Sequence, residues 1–396
     1  MSLQNIVTVQ RNITGASIIV DGIPQTEVAY IIYSKNGNIT APVTLIPNFG
    51  CNASDFSKSG EGRIALVNRG GDCDTGKRLT LATAAGASGF ILWDQDPTIF
   101  RNSFTNEIVE TALGRHGPYD ASKLVPSAVL GFREGQALVD KLQLKSNPSN
   151  KSITVIHKFR PETVSTVNLI ATTKGGNQSA IITVGAHSDS VHTGPGINDD
   201  GTGVVAQIEV ARALSKYSVN NAIRFCWWSA EEEGLKGSAY YADHLSKPEA
   251  AKIVMNLNFD MIGSPNNIYG VFDGGFSLDT SAGKGRAHIE QTILGYFKQI
   301  GKPTVKAAVD GRSDYGSFMK LNIPTGGIFT GAEGNKTVEE ARLFGGKAGE
   351  PYDPCYHKAC DNTKNVNYDA FLTGVKAFAY TVAKYAQNIE GVPFPR

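Results

Sequence analysis

Residues 180–201 read AIITVGAHSDSVHTGPGINDDG. The opening AIITVGA is short and continuously apolar, and a helical pattern begins just after Gly201, so the stretch reads as a buried parallel strand followed by a helix. In an open α/β sheet such a strand delivers its last residues to the carboxyl edge, where ligands collect. Two histidines and three aspartates crowd there: His187, Asp189, His192, Asp199 and Asp200. They form either a solvated loop or a metal site.

Similar apolar runs recur in NLIATT, AIRFCWWSA, VMNLNFDMI and TGGIFTGA, with helical patterns between most of them. The implied fold class is α/β, a mainly parallel mixed sheet sandwiched by helices. Val204, Ile208, Ala211 and Leu214 are expected to face the core from one helix, and Phe371, Val375, Phe378 and Val382 from another.

The chain ahead of this region has a different character. Residues 5–20, IVTVQRNITGASIIVD, alternate as a strand pair would. From about Val28 to Leu142 the strands VAYIIY, RIALVN and GFILWD and the helical TGKRLTLATAAGA indicate a compact β-rich insert, and KSNPSNKS at 145–152 reads as the linker back. The expected organisation is a discontinuous catalytic domain at 1–25 and 146–396, with the insert at 26–145.

Three further segments place polar residues after apolar runs. WWSA leads into Glu231, Glu232 and Glu233, VMNLNF ends at Asp260, and His357 sits inside CYHKAC. Singly, each has an ordinary explanation: Asp199 or Asp200 as a helix cap, the three glutamates as a solvated first helical turn, a histidine as a hydrogen-bonded core residue. Jointly they offer imidazoles and carboxylates suited to Zn²⁺, with one carboxylate able to bridge two ions.

Lys+Arg 38 against Asp+Glu 37 leaves a net charge of +1 without charge runs, which implies neither a nucleic-acid nor an anionic-membrane partner. No apolar run reaches the roughly 18 residues that span a bilayer. Sequons at Asn12, Asn38, Asn52, Asn150, Asn177 and Asn335 point to a glycosylated, secreted chain whose leader is removed. The five cysteines read as two local disulfides, Cys51 with Cys73 and Cys355 with Cys360, plus a buried thiol at Cys226, again favouring an oxidising compartment.

The stretches GAHSDSVHTGPGINDDGTG, WWSAEEEGLKGSAYY, LNFDMIGSPN, DGRSDYGSFMKLNIPTGGIFTGAE and YDPCYHKACDN resemble the secreted two-zinc aminopeptidases, of the fungal leucine aminopeptidase type. GRIALVNRGGDCDTGKRLTLATAAGASGFILWDQD and VPSAVLGFREGQALVDKL resemble the protease-associated domain that some of these enzymes carry as an insert. The resemblance implies the phosphorylase/hydrolase-like zinc-peptidase fold and two Zn²⁺ per chain, with His187 and Asp260 on one ion, Glu232 and His357 on the other, and Asp199 bridging. It makes Glu231 the general base for a zinc-activated hydroxide, Asp189 the carboxylate that orients His187, and Tyr356 a hydrogen-bond donor to the substrate carbonyl. Asp310 to Asp314 match a segment lining the cleft, and a cis peptide bond is expected between Asp199 and Asp200.

The implied substrates are peptides or proteins with a free N-terminus, with apolar residues such as leucine preferred, and the implied state is a monomer with neither nucleic-acid nor membrane partners. The resemblance implies extra helices before the point where this chain begins, so Met1 to Leu3 are expected to be either an appended segment or the edge of a truncation. Carboxypeptidase-like and glutaminyl-cyclase-like enzymes and receptor-like binding modules share the fold and stand as alternatives. An arginine cluster, a single zinc or lost ligands would mark them, respectively.

Overall fold

The computed structural model describes residues 1–396 except 32–33, 57–60, 70–72, 74, 94–123, 144–151, 276–280 and 394–396, and except the side chains of 9–13 and 30. Nearly all of the expected linker at 145–152, with the sequon at Asn150, lies outside the described residues. The chain divides into two compact units, Val9–Val164 and Met1–Thr8 with Ser165–Arg396.

Residues 5–20 form one strand, β1 (Ser2–Val20), where a strand pair was expected. Nothing inside them supplies a two-residue turn. The turn comes after them, at Asp21 and Gly22 with φ of 52° and 80°, the pattern of a type I′ hairpin, and it leads into β2 (Ile23–Pro24).

The unit Val9–Val164 then runs β3 (Val28–Tyr30), β4 (Gly37–Leu45), β5 (Ile64–Asn68), α1 (Thr75–Ala84), β6 (Gly89–Trp93), β7 (Ser127–Leu130), α2 (Phe132–Gln143) and the first part of β8 (Ser152–Thr172). Its strands lie in the order β8-β4-β5-β6-β7-β3, parallel from β4 to β7. Every residue of β5, β6 and β7 is buried, because apolar clusters cover both faces: Val67, Leu79 and Phe90 on one, Leu66, Ile91 and Trp93 on the other. Cys51 and Cys73 are joined, with Cα atoms 5.6 Å apart.

The second unit contains the rest of β8, then β9 (Asn177–His187), α3 (Thr202–Leu214), β10 (Asn221–Trp228), α4 (Lys236–Asp243), α5 (Lys247–Ala250), β11 (Ile253–Phe259), β12 (Gly270–Phe272), α6 (Ser281–Gln299), β13 (Val305–Ala307), α7 (Tyr315–Met319), β14 (Thr325–Phe329), α8 (Val338–Phe344) and α9 (Tyr368–Gln387). Its strand order is β13-β12-β14-β11-β9-β10-β8. The four central strands β14, β11, β9 and β10 are parallel, and β8 and β12 join them antiparallel. The mainly parallel mixed sheet under helices is therefore borne out. Among the described residues, no helix is long and apolar enough to cross a membrane.

Ile182 of β9 sits opposite Ile223 of β10 and Met255 of β11, and all three are fully buried. Burial of each such side chain contributes about 1.5–3 kcal/mol. Phe259 of β11 stacks on Phe378 of α9 with ring centroids 3.9 Å apart. Phe378 and Val382 are buried and Phe371 and Val375 pack partly buried against the same core, as the α9 stripe predicts.

The stripe assigned to α3 needs correction. Ala211 and Leu214 pack partly buried against the core as expected, but Ile208 is 49% exposed, and the buried positions are Thr202, Gly203, Ala206, Gln207 and Val210. The helix starts hard against the sheet, and a Cβ on Gly203 would lie 2.0 Å from the Phe259 carbonyl oxygen, which turns that side of its first turn inward.

Candidate metal centre

The ends of β9, β10 and β11 bring His187, the Glu231–Glu232 turn and Asp260 to one edge of the sheet. Asp199 enters from the turn before α3, and its peptide bond to Asp200 is cis, as expected. His357 enters from a loop closed by the Cys355–Cys360 disulfide, with Cα atoms 5.3 Å apart. His357 itself is held at φ 57°, and its carbonyl accepts a hydrogen bond from the Thr193 hydroxyl at 2.8 Å.

These side chains make two triads that share Asp199: His187, Asp199 and Asp260, and Asp199, Glu232 and His357. His187 Nε2 lies 3.1 Å from Asp199 Oδ1 and 3.7 Å from Asp260 Oδ2. His357 Nε2 lies 3.1 Å from both Asp199 Oδ2 and Glu232 Oε2. Metal–ligand bonds of about 2.0–2.2 Å at tetrahedral angles put ligand atoms about 3.4 Å apart, so these spacings suit one small divalent ion per triad.

The protonation pattern fits as well. His187 Nδ1 faces the Asp189 carbonyl at 3.0 Å, which makes Nδ1 a proton-bearing nitrogen, so that with a cation in the triad Nε2 would be the ligating atom. Burial opposes a charged His357, but the Glu232 and Asp199 carboxylates outweigh it and push the imidazole up to about 10. Burial likewise pushes Glu231 well above the usual carboxylate range, with His187 opposing and Glu232 reinforcing the shift. Asp260 Oδ1 has no hydrogen-bond partner among the described residues. A buried crowd of carboxylates with an orphaned oxygen is a site that cations stabilise.

Asp189 acts through different atoms from those expected. Its carboxylate stands 3.7 Å from His187 Nδ1, and it is the Asp189 main-chain carbonyl that meets the imidazole. The carboxylate instead accepts the backbone N–H groups of Glu231 at 3.0 Å and Glu232 at 3.2 Å, fixing the turn that carries both glutamates. Tyr356 stacks on the His357 ring at 3.8 Å, and its hydroxyl accepts a 3.3 Å hydrogen bond from Arg312 Nη2. Arg312 in turn pairs with Glu333, with N···O distances of 3.1 and 3.2 Å.

His192, given no ligand role, is 77% exposed. Asp200, expected as a turn or cap residue, does more: its buried carboxylate accepts N–H groups from His187, Gly203 and Met261, lacing two strand ends to the start of α3. Asp310, Arg312 and Ser313 line the cavity, and the Ser313 hydroxyl donates to Asp260 Oδ2 at 2.6 Å. Asp314 is buried, and desolvation pushes its carboxyl up to about 7.

Sequence reasoning missed the support beneath the bridge. Asp361 accepts the backbone N–H of Asn198 at 3.0 Å and of Asp199 at 3.1 Å, and Asn365 ties Asp361 to Asp353. The only available signal was position, four residues after His357. An Asp361→Asn chain is expected to bind metal about 10–100-fold more weakly, the usual cost of an outer hydrogen-bonding partner. Competition against a chelator reads this, and an unchanged affinity removes Asp361 from the role.

The cavity at the triads has a volume of about 270 Å³. Beyond the carboxylates its walls are largely apolar, with Met261, Ile268, Phe272, Phe329 and Ala332.

The PA domain model matches residues 39–138. The chain is 40% identical over 362 residues to the probable leucine aminopeptidase 2 of Aspergillus fumigatus, covering 91% of this chain and 69% of that protein. It is 39% identical to the probable leucine aminopeptidase 2 of Aspergillus oryzae, covering 94% and 72%. Its fold is similar to that of an aminopeptidase from Aneurinibacillus sp. strain AM-1, with TM-score 0.73 and 23% identity over 100% of this chain and 86% of that one. It is also similar to BSAP, a zinc aminopeptidase from Bacillus subtilis, with TM-score 0.67 and 22% identity over 99% and 88%. The model of peptidase family M28 matches residues 168–382, a span that holds all five residues of the two triads together with Glu231 and Tyr356, and the chain belongs to that family.

Proposed function

We propose that the chain is a zinc-dependent aminopeptidase that hydrolyses the N-terminal peptide bond of peptides and proteins, with a preference for apolar first residues such as leucine. The observation that carries this reading is the pair of triads sharing Asp199, set beside a buried Glu231 at the mouth of a largely apolar cavity. His187 and Asp260 would hold one zinc, Glu232 and His357 the other, and Asp199 both. Zinc held there would lower the pKa of a bound water and would polarise the scissile carbonyl.

The chain's own residues supply the rest. Glu231 takes the proton from the water and gives it to the leaving amine. The Glu231 and Asp260 carboxylates favour the substrate's α-ammonium group. Tyr356, fixed between His357 and Arg312, donates its hydroxyl proton in a hydrogen bond to the carbonyl oxygen as charge develops there. Asp189 is a positioning residue that keeps the Glu231–Glu232 turn in place.

A carboxypeptidase needs a free cation for the substrate carboxylate. Among the described residues the cationic side chains on the cavity wall, Arg312 and Lys306, are engaged, Arg312 with Glu333 and Lys306 with Asp273 at 2.9 Å. We also propose residues 1–25 and 146–396 as the catalytic domain and 26–145 as the insert, supported by the PA match inside that range. Secretion is supported by two disulfides and by exposed sequons at Asn38, Asn52, Asn177 and Asn335, and we assign a monomer.

Aminoacyl-nitroanilides compared with N-blocked and C-blocked peptides test the reaction on the zinc-loaded chain. Release only from free N-termini, with two zinc ions per chain by elemental analysis, is the expected result. Cleavage confined to N-blocked substrates overturns it.

A further inference from the structure

The cavity wall includes a carboxylate that neither the triads nor the reaction uses. Glu340 lies on α8, an element that carries no candidate ligand, and it lines the same cavity as Glu231 and Asp260. Its Oε2 is fully engaged, accepting the Thr337 N–H and hydroxyl at 2.8 Å each and the Tyr352 hydroxyl at 2.7 Å. Its Oε1 accepts no hydrogen bond among the described residues.

The capping box at the start of α8 holds this carboxylate still. Thr337 caps the Glu340 N–H while Glu340 caps the Thr337 N–H, so the side chain is fixed without an ion pair. Tyr352, also on the cavity wall, packs its ring against Gly331, where a Cβ would fall 2.3 Å from the ring. Partial desolvation raises the Glu340 carboxyl, but hydrogen bonds received from Thr337 and Tyr352 and the neighbouring Lys336 ammonium, itself bonded to the Asn267 and Gly345 carbonyls, hold it below the ordinary range.

The other charged groups on the wall are committed elsewhere. Lys306 pairs with Asp273 and Arg312 with Glu333, and Asp310 Oδ1 accepts the Tyr315 hydroxyl and the Arg312 N–H. A side chain entering from the triads therefore meets apolar walls and, on α8, a fixed anion with an open oxygen.

We propose that Glu340 gives the side-chain cavity a second specificity, for N-terminal residues with a long aliphatic stem and a cationic tip, lysine and arginine, alongside apolar ones. The inference rests on the aminopeptidase reading. An apolar stem buries along Ile268, Phe272 and Phe329, while the tip makes a charge-assisted hydrogen bond to Glu340 Oε1.

Lysine and norleucine p-nitroanilides, which share the stem and differ in the ammonium group, test this with the full zinc-loaded chain. The native chain is expected to hydrolyse the lysine substrate with a kcat/KM at least equal to that of norleucine. Glu340→Gln keeps a side chain able to complete the capping box and is expected to lower the lysine-to-norleucine ratio about tenfold or more. Tyr352→Phe keeps the charge and is expected to hold or raise the ratio. A native ratio below about one hundredth, a shift under twofold in Glu340→Gln, or an equal fall in Tyr352→Phe overturns the proposal. Failure to cleave either substrate, or leucine p-nitroanilide, overturns the aminopeptidase reading and this one with it.

Discussion

Replacing Glu231 with glutamine is expected to lower kcat about 10²–10⁴-fold, the range that a positioned proton-transfer group supplies, while both metal ions stay bound. The separation of the two effects follows from the geometry. Glu231 belongs to neither triad, so the nearly isosteric change leaves His187, Asp199, Glu232, Asp260 and His357 as they are. The turn also survives, since it is fixed by main-chain groups: the Glu231 N–H on Asp189, and the Glu231 carbonyl accepting from Gly234 and Leu235 at 2.8 Å each. Single-turnover kinetics with parallel metal analysis reads both quantities. Near-native turnover removes Glu231 from proton transfer, and loss of metal reassigns it as a ligand.

Replacing Asp199 with alanine is expected to remove both ions and, with them, all measurable peptide hydrolysis. Asp199 is the one carboxylate within 3.1 Å of both imidazoles, so its loss opens both triads at once. The effect should exceed the roughly 10–100-fold weakening that follows loss of an outer-shell partner. The remaining groups make matters worse, because buried glutamate and aspartate side chains lose the cations that offset their desolvation. The variant is expected to unfold at a lower temperature than the native chain, and added zinc should not restore it. A variant that still binds two ions per chain excludes Asp199 as the bridge.

How much of this was legible beforehand depended on where each residue gets its information. His187, Glu232 and Asp260 follow apolar strands, and a strand end in a parallel sheet has a known address, so local sequence announces them. His357 has no strand before it and was readable through its flanking cysteines and the family resemblance. The face of α3 was misread at Ile208 because hydrophobicity pointed to it, whereas the close approach of Gly203 to Phe259 turns a neighbouring side of the helix inward. Asp361 and Asp200 work by receiving main-chain N–H groups from distant segments, and such bonds leave no periodicity in the residues that make them. The division of labour within Asp189, carbonyl to His187 and carboxylate to the glutamate turn, is likewise a matter of a few tenths of an ångström that no spacing encodes.

The six-residue ring closed by Cys355 and Cys360 ties the chemistry to its surroundings. It encloses Tyr356 and His357, one assigned to the developing oxyanion and the other to a metal. One covalent bond thereby limits the backbone freedom of the tyrosine and the imidazole together, so the two proposed roles share a single restraint.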